Sequence, residues 1–322
     1  GTILFQLLPL FVAMLWSTNL GILLPASIFV RLLTLLLLFQ FCWKHVFHGQ
    51  APSFARAQAG RLLRFGGWVS VSSFVGPMMV ILDRFIIGAL SGAKAVTFYT
   101  VPFQLGERST VISSSLASAM FPRFAAVAPE EEQRLAREGL YALVVVVTPL
   151  VAAGVLFMEP FLILWIDSAF ALKSARVGQV LLLGFWINGF ARIASAQLQA
   201  RGRPDLVAKC HLCEIIPYFC LLYLGLSQFG LVGAAVAFSF RVLLDFTLLA
   251  SLAGILHLSV RLLSLPSLIL TAAFWVATWF KPESHVWFAS VALYLLFTIV
   301  WAWRQAPASI RDSVLRHLKP FL

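Results

Sequence analysis

Nine ionisable side chains lie inside long hydrophobic stretches of this sequence, and they are the residues best suited to do chemistry. Five are basic and four are acidic: Arg31, Arg84, Arg108, Arg192, Arg241, Asp83, Glu107, Glu214 and Asp245. An uncompensated charge at the centre of a bilayer costs about 2.5–3.5 kcal/mol on insertion scales. These groups must therefore pair with one another or face a polar cavity, which indicates that something polar binds within the membrane or crosses it.

The arginines favour an anionic ligand. A guanidinium group stays charged and grips phosphate oxygens in a bidentate way, so the five arginines are predicted to line a cavity for a head group such as a pyrophosphate. The acids Asp83, Glu107, Glu214 and Asp245 are predicted to form ion pairs or to couple transport to protons. For any single pair, such as Glu214 with Arg241, a purely structural lock between two helices is the alternative.

The composition is that of a membrane protein. Of the 322 residues, 61% are hydrophobic and 11% are charged, whereas soluble domains carry about 25% charged residues. Runs such as 20–42 and 231–252 are long enough to cross a hydrocarbon core of about 30 Å. The sequence therefore predicts an all-α, polytopic helical membrane protein. Its predicted spans, about ten in number, lie near residues 3–17, 20–42, 66–90, 97–121, 139–166, 177–200, 207–227, 231–253, 262–280 and 286–303.

Four of the charges are predicted to lie at similar depth on three consecutive spans. With a rise of about 1.5 Å per residue, Arg192, Glu214, Arg241 and Asp245 fall about 10–18 Å from the inner face. Arg241 and Asp245 are four residues apart and share one helix face. The sequence thus predicts that charges from different helices meet at one level of the bundle.

Loop charge predicts the orientation in the membrane. Of the 24 Lys and Arg residues, most of those in loops fall on one side of the predicted spans: Lys44, Arg56, Arg61, Arg64, Arg123, Arg134, Arg137, Arg201, Arg203, Lys209, Arg261, Arg304, Arg311, Arg316 and Lys319. The other side has only Lys94, Lys173, Arg176 and Lys281. The positive side is expected to be cytoplasmic, which places both ends of the chain inside the cell. Because the bases lie in short loops, the net charge of +11 does not indicate a nucleic-acid partner.

Several classes of function are not supported by the motifs. No G-x-x-x-x-G-K-[ST] phosphate loop occurs, and no soluble domain is predicted that could hold a catalytic site, so a non-enzymatic protein without a cofactor is expected. Cys210, His211 and Cys213 have a metal-like or redox-like spacing, but no second ligand pair accompanies them, so ordinary packing is preferred and no metal site is predicted. The acidic stretch Glu130–Glu138 is predicted to be a short surface helix with a solvated face.

Helix-breaking residues predict bends and close contacts. Gly230 and Gly233 open the eighth predicted span and are expected to allow close packing with the seventh. Five prolines are predicted to interrupt helices at membrane depth: Pro77, Pro102, Pro149, Pro160 and Pro217.

Five segments carry a resemblance to a known family: Leu82–Leu90, Tyr99–Leu105, Ala119–Phe124, Gln197–Asp205 and Gly230–Ala237. With Glu214, Pro217, Tyr218, Arg241 and Asp245, the chain resembles the Wzx-type oligosaccharide flippases (O-antigen translocases) of the multidrug/oligolipid/polysaccharide exporter superfamily. The resemblance covers about residues 60–255.

The resemblance implies a fold and a division of the chain. Such proteins have a MATE-like architecture of two bundles, each of about six spans, around a central cavity, often followed by two more spans. Residues 1–65 would then hold the last two helices of the first bundle and a cytoplasmic linker, 66–255 the second bundle, and 256–322 a terminal helix pair and tail. The chain is therefore expected to be an N-terminally truncated fragment.

The resemblance also implies a function. Family members flip polyprenyl-pyrophosphate-linked oligosaccharides from the cytoplasmic to the periplasmic leaflet of the bacterial inner membrane, for O-antigen, exopolysaccharide or capsule synthesis. A glycan polymerase and a chain-length protein are the protein partners this implies. Three alternatives stay open: a lipid II flippase, a drug or cation antiporter of the same superfamily, and an integral-membrane glycan polymerase or ligase.

Overall fold

All regular secondary structure in the described part of the chain is helical. A computed structural model describes residues 20–45, 56–279 and 284–305. In those ranges the helices are α1 Leu20–His45, α2 Arg56–Ser91, α3 Ala93–Arg108, α4 Thr110–Ala126, α5 Pro129–Trp165, α6 Ser168–Ala200, α7 Pro204–Ala253, α8 Leu256–Trp279 and α9 His285–Gln305. Seven of the described helices are long and apolar enough to cross a membrane. The chain is a polytopic helical membrane protein, as predicted; the predicted span 3–17 lies outside the described residues.

The predicted span 97–121 corresponds to two short helices in succession, α3 and α4. Ser109, between them, keeps helical backbone angles (φ −62°, ψ −23°). Its hydroxyl donates to the carbonyl oxygen of Gly106 at 2.7 Å, and the Thr110 hydroxyl donates to that of Glu107 at 2.8 Å. Hydroxyl groups that bond back to the preceding turn compete with the regular helix pattern. The short length of α3 and α4 therefore reflects a local irregularity at Ser109.

Helix α7 bends at Gly230. This residue has φ 60° and ψ −146°, a conformation that favours glycine. The two arms of α7 then lie against each other, because a Cβ atom on Gly225 would sit 2.6 Å from the carbonyl oxygen of Gly233. The predicted close packing is confirmed for Gly233, whereas Gly230 has no atom within 4 Å of its Cβ position and instead forms the turn between the arms. The predicted spans 207–227 and 231–253 are the two arms.

The prediction that prolines interrupt the helices is wrong. All five lie inside α2, α3, α5 or α7, and each helix continues through them. In a membrane, neighbouring helices and local adjustments satisfy the backbone groups that a proline frees, so a proline does not have to end a helix.

The chain forms two compact units, Gly1–Leu62 and Leu63–Leu322. The first contains α1, most of whose described side chains are exposed. In the second, α6 is the central helix and packs against α3, α4, α5 and α7. The finer division into residues 1–65, 66–255 and 256–322 stays a prediction.

Small residues let neighbouring helices approach α6 closely. A Cβ atom on Gly184 would lie 2.7 Å from the Ser239 hydroxyl of α7, and one on Gly189 would lie 2.5 Å from the Ser113 hydroxyl of α4. Close backbone approach at small residues is typical of helices packed in membranes. Large apolar side chains such as Leu164 and Leu172 are instead exposed, as expected where helices meet lipid.

The acidic stretch near residue 130 differs from its prediction. It forms the first turns of α5 instead of a separate surface helix. Glu130 and Glu131 are exposed, but Glu132 is buried, and Arg201 Nε donates to both of its carboxylate oxygens at 2.9 and 3.0 Å. This ion pair joins the start of α5 to the end of α6.

Candidate functional site

The second compact unit encloses a polar cavity of about 520 Å³ between α2, α3, α6 and α7. Five of the nine ionisable residues singled out from the sequence line it: Arg84, Glu107, Arg192, Arg241 and Asp245. Each of the four helices contributes at least one of them. The predicted meeting of charges from different helices is therefore seen for Arg192, Arg241 and Asp245.

Aromatic and backbone contacts hold Arg84 in place. Its guanidinium carbon lies 4.9 Å from the centre of the Phe103 ring, and its Nη1 donates to the carbonyl oxygen of Val80 at 3.2 Å. A cation over an aromatic face is attracted by the negative potential of the ring. Phe103 itself is almost fully buried, so α3 presents a fixed surface to the arginine.

Arg241 lies at the centre of the charged residues. Its Nη1 is 3.7 Å from Glu214 Oε2, and its guanidinium carbon is 5.5 Å from the ring centres of both Tyr218 and Phe238. Its side chain is only 12% exposed. Arg241 and Asp245 both line the cavity, as their spacing of four residues predicts.

Arg192 faces the cavity from α6 and is the most exposed of the three arginines. The charges of Glu107 on α3 and Asp245 on α7 act on it. Its guanidinium group therefore interacts electrostatically with acids from two other helices and is exposed at the cavity surface.

Two acids lie behind the cavity wall. Asp83 is fully buried and accepts a hydrogen bond from the Tyr218 hydroxyl at 3.1 Å; among the described residues no donor reaches its other oxygen. Glu214 is also fully buried, and its carboxyl group interacts with those of Asp245 and the guanidinium of Arg241. Of these contacts, the one between Glu214 and Arg241 is an ion pair. The predicted roles of the four acids, in ion pairs or in proton coupling, stay predictions.

His211 and Tyr218 belong to this site and were missed from the sequence. His211 Nδ1 is 3.0 Å from the Ser72 hydroxyl, and its Nε2 is 3.5 Å from Asp245 Oδ1. The signal was available, because His211, Glu214 and Tyr218 are spaced three and four residues apart and so share one face of α7. A histidine and a tyrosine on the same helix face as a glutamate indicate that this face of the helix is polar.

Two predicted cavity residues are not among the described residues that line this cavity. Arg108 is exposed at the end of α3 and is not among the described residues that line the cavity. Arg31 is an exposed residue of α1, in the first compact unit. Cys210 is buried and Cys213 exposed, and both are free thiols.

The charge of the site depends on its acids. Three guanidinium groups and two carboxyl groups reach the cavity surface, which leaves one excess positive charge there. The wall holds two further carboxyl groups, those of Asp83 and Glu214. The attraction of the cavity for an anion therefore rises with each acid that holds a proton.

Comparison with known proteins identifies the family. A family model described as polysaccharide biosynthesis protein matches residues 2–171. A Shigella flexneri protein named as an O-antigen transporter is 35% identical over 190 residues, which are 59% of this chain and 46% of that protein. A Haloferax volcanii protein named as a low-salt glycan biosynthesis flippase is 25% identical over 191 residues, 58% of this chain and 40% of that protein. The matched part is thus less than half of each relative. Because the family model covers more than half of the chain, the chain belongs to the polysaccharide biosynthesis protein family.

Proposed function

We propose that this chain is part of a transporter that flips polyprenyl-pyrophosphate-linked oligosaccharides from the cytoplasmic to the periplasmic leaflet. The observation that carries the proposal is the cavity whose surface presents Arg84, Arg192 and Arg241 from three helices of a membrane-spanning bundle. Membership of a polysaccharide biosynthesis family supports it, as do the names of the two relatives. The product would feed O-antigen, exopolysaccharide or capsule synthesis.

The proposed role of the arginines is to replace water around the pyrophosphate. Phosphate oxygens that leave the head-group region lose strong hydrogen bonds, and guanidinium groups return charge-assisted ones. The polyprenyl chain stays in the bilayer while the head group passes through the cavity by alternating access of the bundle. The charges of Glu107 and Asp245 act on Arg192, so these two acids can balance its positive charge when no substrate is bound.

The finer architecture is also part of the proposal. We propose about ten spans in a MATE-like arrangement, with both ends of the chain on the cytoplasmic side of a bacterial inner membrane. The proposed protein partners are the glycan polymerase that uses the flipped substrate and a chain-length protein. Arg31 stays a proposed cavity residue contributed by the first bundle.

The competing functions fit the cavity less well. A cation or drug antiporter is expected to have a cavity surface dominated by acids, whereas this surface carries three arginines and two acids. A polymerase or ligase is expected to carry catalytic polar residues on a long outward loop. The turns around Gly92 and Gly230, which would face outward on the proposed orientation, are short. A lipid II flippase shares the anionic head group, so the charge of the cavity fits that alternative equally well.

The test is to change the arginines in the chromosomal gene. Arg241→Ala and Arg192→Ala should each lower surface glycan at least ten-fold while the protein still reaches the membrane, because each removes a fixed donor to the pyrophosphate. Arg134→Ala is the matched control, since Arg134 is an exposed residue paired with Glu138 on the helix surface. Surface glycan is measured on gels and the protein by membrane immunoblot. Unchanged glycan in both cavity variants would contradict the proposal.

A further inference from the structure

A second cavity, of about 450 Å³, lies between α4 and α6. On α4 it is lined by Ser114, Ala117, Ser118 and Phe121, and on α6 by Arg192, Ser195, Ala196 and Gln199. In both helices the lining residues follow the spacing i, i+3, i+4 and i+7, which is one face of a helix. The cavity is therefore an open groove between two regular helix faces, each rich in small and polar side chains.

The second cavity adjoins the charged one. Arg192 and Ser195 line both, so the guanidinium group of Arg192 stands at their junction. From there the second cavity extends along α4 and α6 towards the ends of these helices, next to Arg123 and Arg201. On the proposed orientation these ends face the cytoplasm, where the substrate enters.

The chemistry of the two cavities differs. The charged cavity has acids and arginines, whereas the second cavity is lined by three hydroxyl groups, one amide, one phenyl ring and the shared guanidinium. The Ser114 hydroxyl donates to the carbonyl oxygen of Val111 at 3.0 Å, and Gln199 Nε2 donates to the Ser195 hydroxyl at 3.1 Å. Each of these hydroxyl oxygens still has acceptor capacity, and the Gln199 carbonyl oxygen can also accept. Such groups suit a neutral ligand with many hydroxyl groups.

An apolar occupant is disfavoured by the same residues. Polar side chains at membrane depth are costly unless they have a polar partner. The alanines keep the cavity open, and Phe121 offers a flat apolar face of the kind against which a sugar ring packs. The volume lies within the range of about 300–1,000 Å³ that is usual for small-molecule sites.

We propose that the second cavity binds the sugar residues of the lipid-linked substrate, beside the pyrophosphate in the charged cavity. This inference rests on the proposed function and adds to it a site for the neutral glycan. Arg192 contacts the substrate where the phosphate joins the first sugar. Ser118 and Gln199, which lie nearer the ends of α4 and α6 than Arg192 does, contact sugars further from the phosphate, so a head group with a single sugar does not depend on them.

The test compares two substrates in the natural full-length protein reconstituted in phosphatidylethanolamine and phosphatidylglycerol vesicles. One is polyprenyl pyrophosphate carrying a single N-acetylglucosamine, and the other carries a β1,4-linked tetrasaccharide of the same sugar, both fluorescently labelled. Ser118→Leu fills the second cavity and should slow flipping of the tetrasaccharide at least ten-fold while flipping of the single sugar stays within two-fold. Gln199→Ala adds no bulk and should show the same selectivity to a smaller degree. Ser115→Leu is the control, because Ser115 is an exposed residue of α4 that is not among the described residues lining the cavity.

The outcomes separate the two proposals. If the wild-type protein flips both substrates and Ser118→Leu and Gln199→Ala change both rates equally or not at all, the sugar site is wrong and the proposed function stands. If the wild-type protein flips neither substrate, the proposed function fails and the sugar site fails with it. Retained flipping of the single sugar shows in the same experiment that the variant is folded.

Discussion

Tyr218 connects two of the buried charges through different parts of one side chain. Its hydroxyl group donates to Asp83 on α2, and its ring lies beneath the guanidinium group of Arg241. The residue is almost fully buried, so water does not replace either contact. Removing only the hydroxyl group therefore separates the hydrogen bond from the ring contact.

Tyr218→Phe should destabilise the protein by about 1–3 kcal/mol, because it leaves a buried carboxyl group without its donor. The measurement is thermal unfolding in detergent, followed by intrinsic fluorescence. Tyr223→Phe makes the same chemical change at an exposed position of the same helix and should leave the melting temperature unchanged. Equal melting temperatures for the two variants would show that the Asp83 hydrogen bond contributes nothing.

Some site residues were predictable from spacing, and the failures have a geometric cause. Arg241 and Asp245 were found because residues four apart share a helix face. Glu107 lines the cavity but Arg108 does not, since adjacent residues of a helix point about 100° apart and the position of one does not fix what the next one faces. The same geometry separates Arg84, on the cavity surface, from Asp83, behind it. Depth along the chain could be read from the sequence, whereas the direction of each side chain required the neighbouring helices.

At the scale of elements, the apolar runs predicted where helices lie but not where they bend. The described helices cover nine of the ten predicted spans, because a long apolar run in a membrane has few alternatives to a helix. Interruptions were sought at prolines, whereas the helical backbone angles are lost at Gly230 and the boundary between α3 and α4 falls at Ser109. A positive φ at Gly230 favours glycine, and the irregularity at Ser109 involves hydroxyl groups that bond to backbone carbonyl oxygens of the preceding turn. Both depend on local chemistry that hydropathy does not report.

Gly233→Ala should prevent the two arms of α7 from packing, because a Cβ atom there would overlap the backbone of Gly225. Overpacking costs about 1–3 kcal/mol where side chains can move, and more where the obstacle is backbone. The variant should therefore aggregate or elute as a broad peak in detergent size-exclusion chromatography. Gly67→Ala is the matched control: no atom lies within 4 Å of its Cβ position, and alanine favours the helix by about 0.5–1 kcal/mol. A sharp, wild-type peak for Gly233→Ala would contradict the observed contact.

At the scale of the whole molecule, orientation follows from the distribution of charge between helix ends. Lys94 begins α3 and Arg203 lies between α6 and α7, and both are exposed. The loop-charge bias predicts that Arg203 faces the cytoplasm and Lys94 the periplasm, because positively charged loops are retained inside the cell. The proposed direction of flipping depends on this orientation, since the substrate is made on the cytoplasmic side.

Single-cysteine labelling tests that orientation. With the four native cysteines replaced by alanine, Lys94→Cys should react with a membrane-impermeant maleimide in spheroplasts, whereas Arg203→Cys should react only after the membrane is opened. Lys173→Cys, at another predicted periplasmic position, should react like Lys94→Cys. It controls for the case in which one cysteine is labelled or protected only because of its immediate surroundings. Labelling of Arg203→Cys in sealed spheroplasts, with Lys94→Cys protected, would invert the proposed orientation. The second cavity would then open towards the periplasm, and the sugar site would receive its substrate from the wrong side.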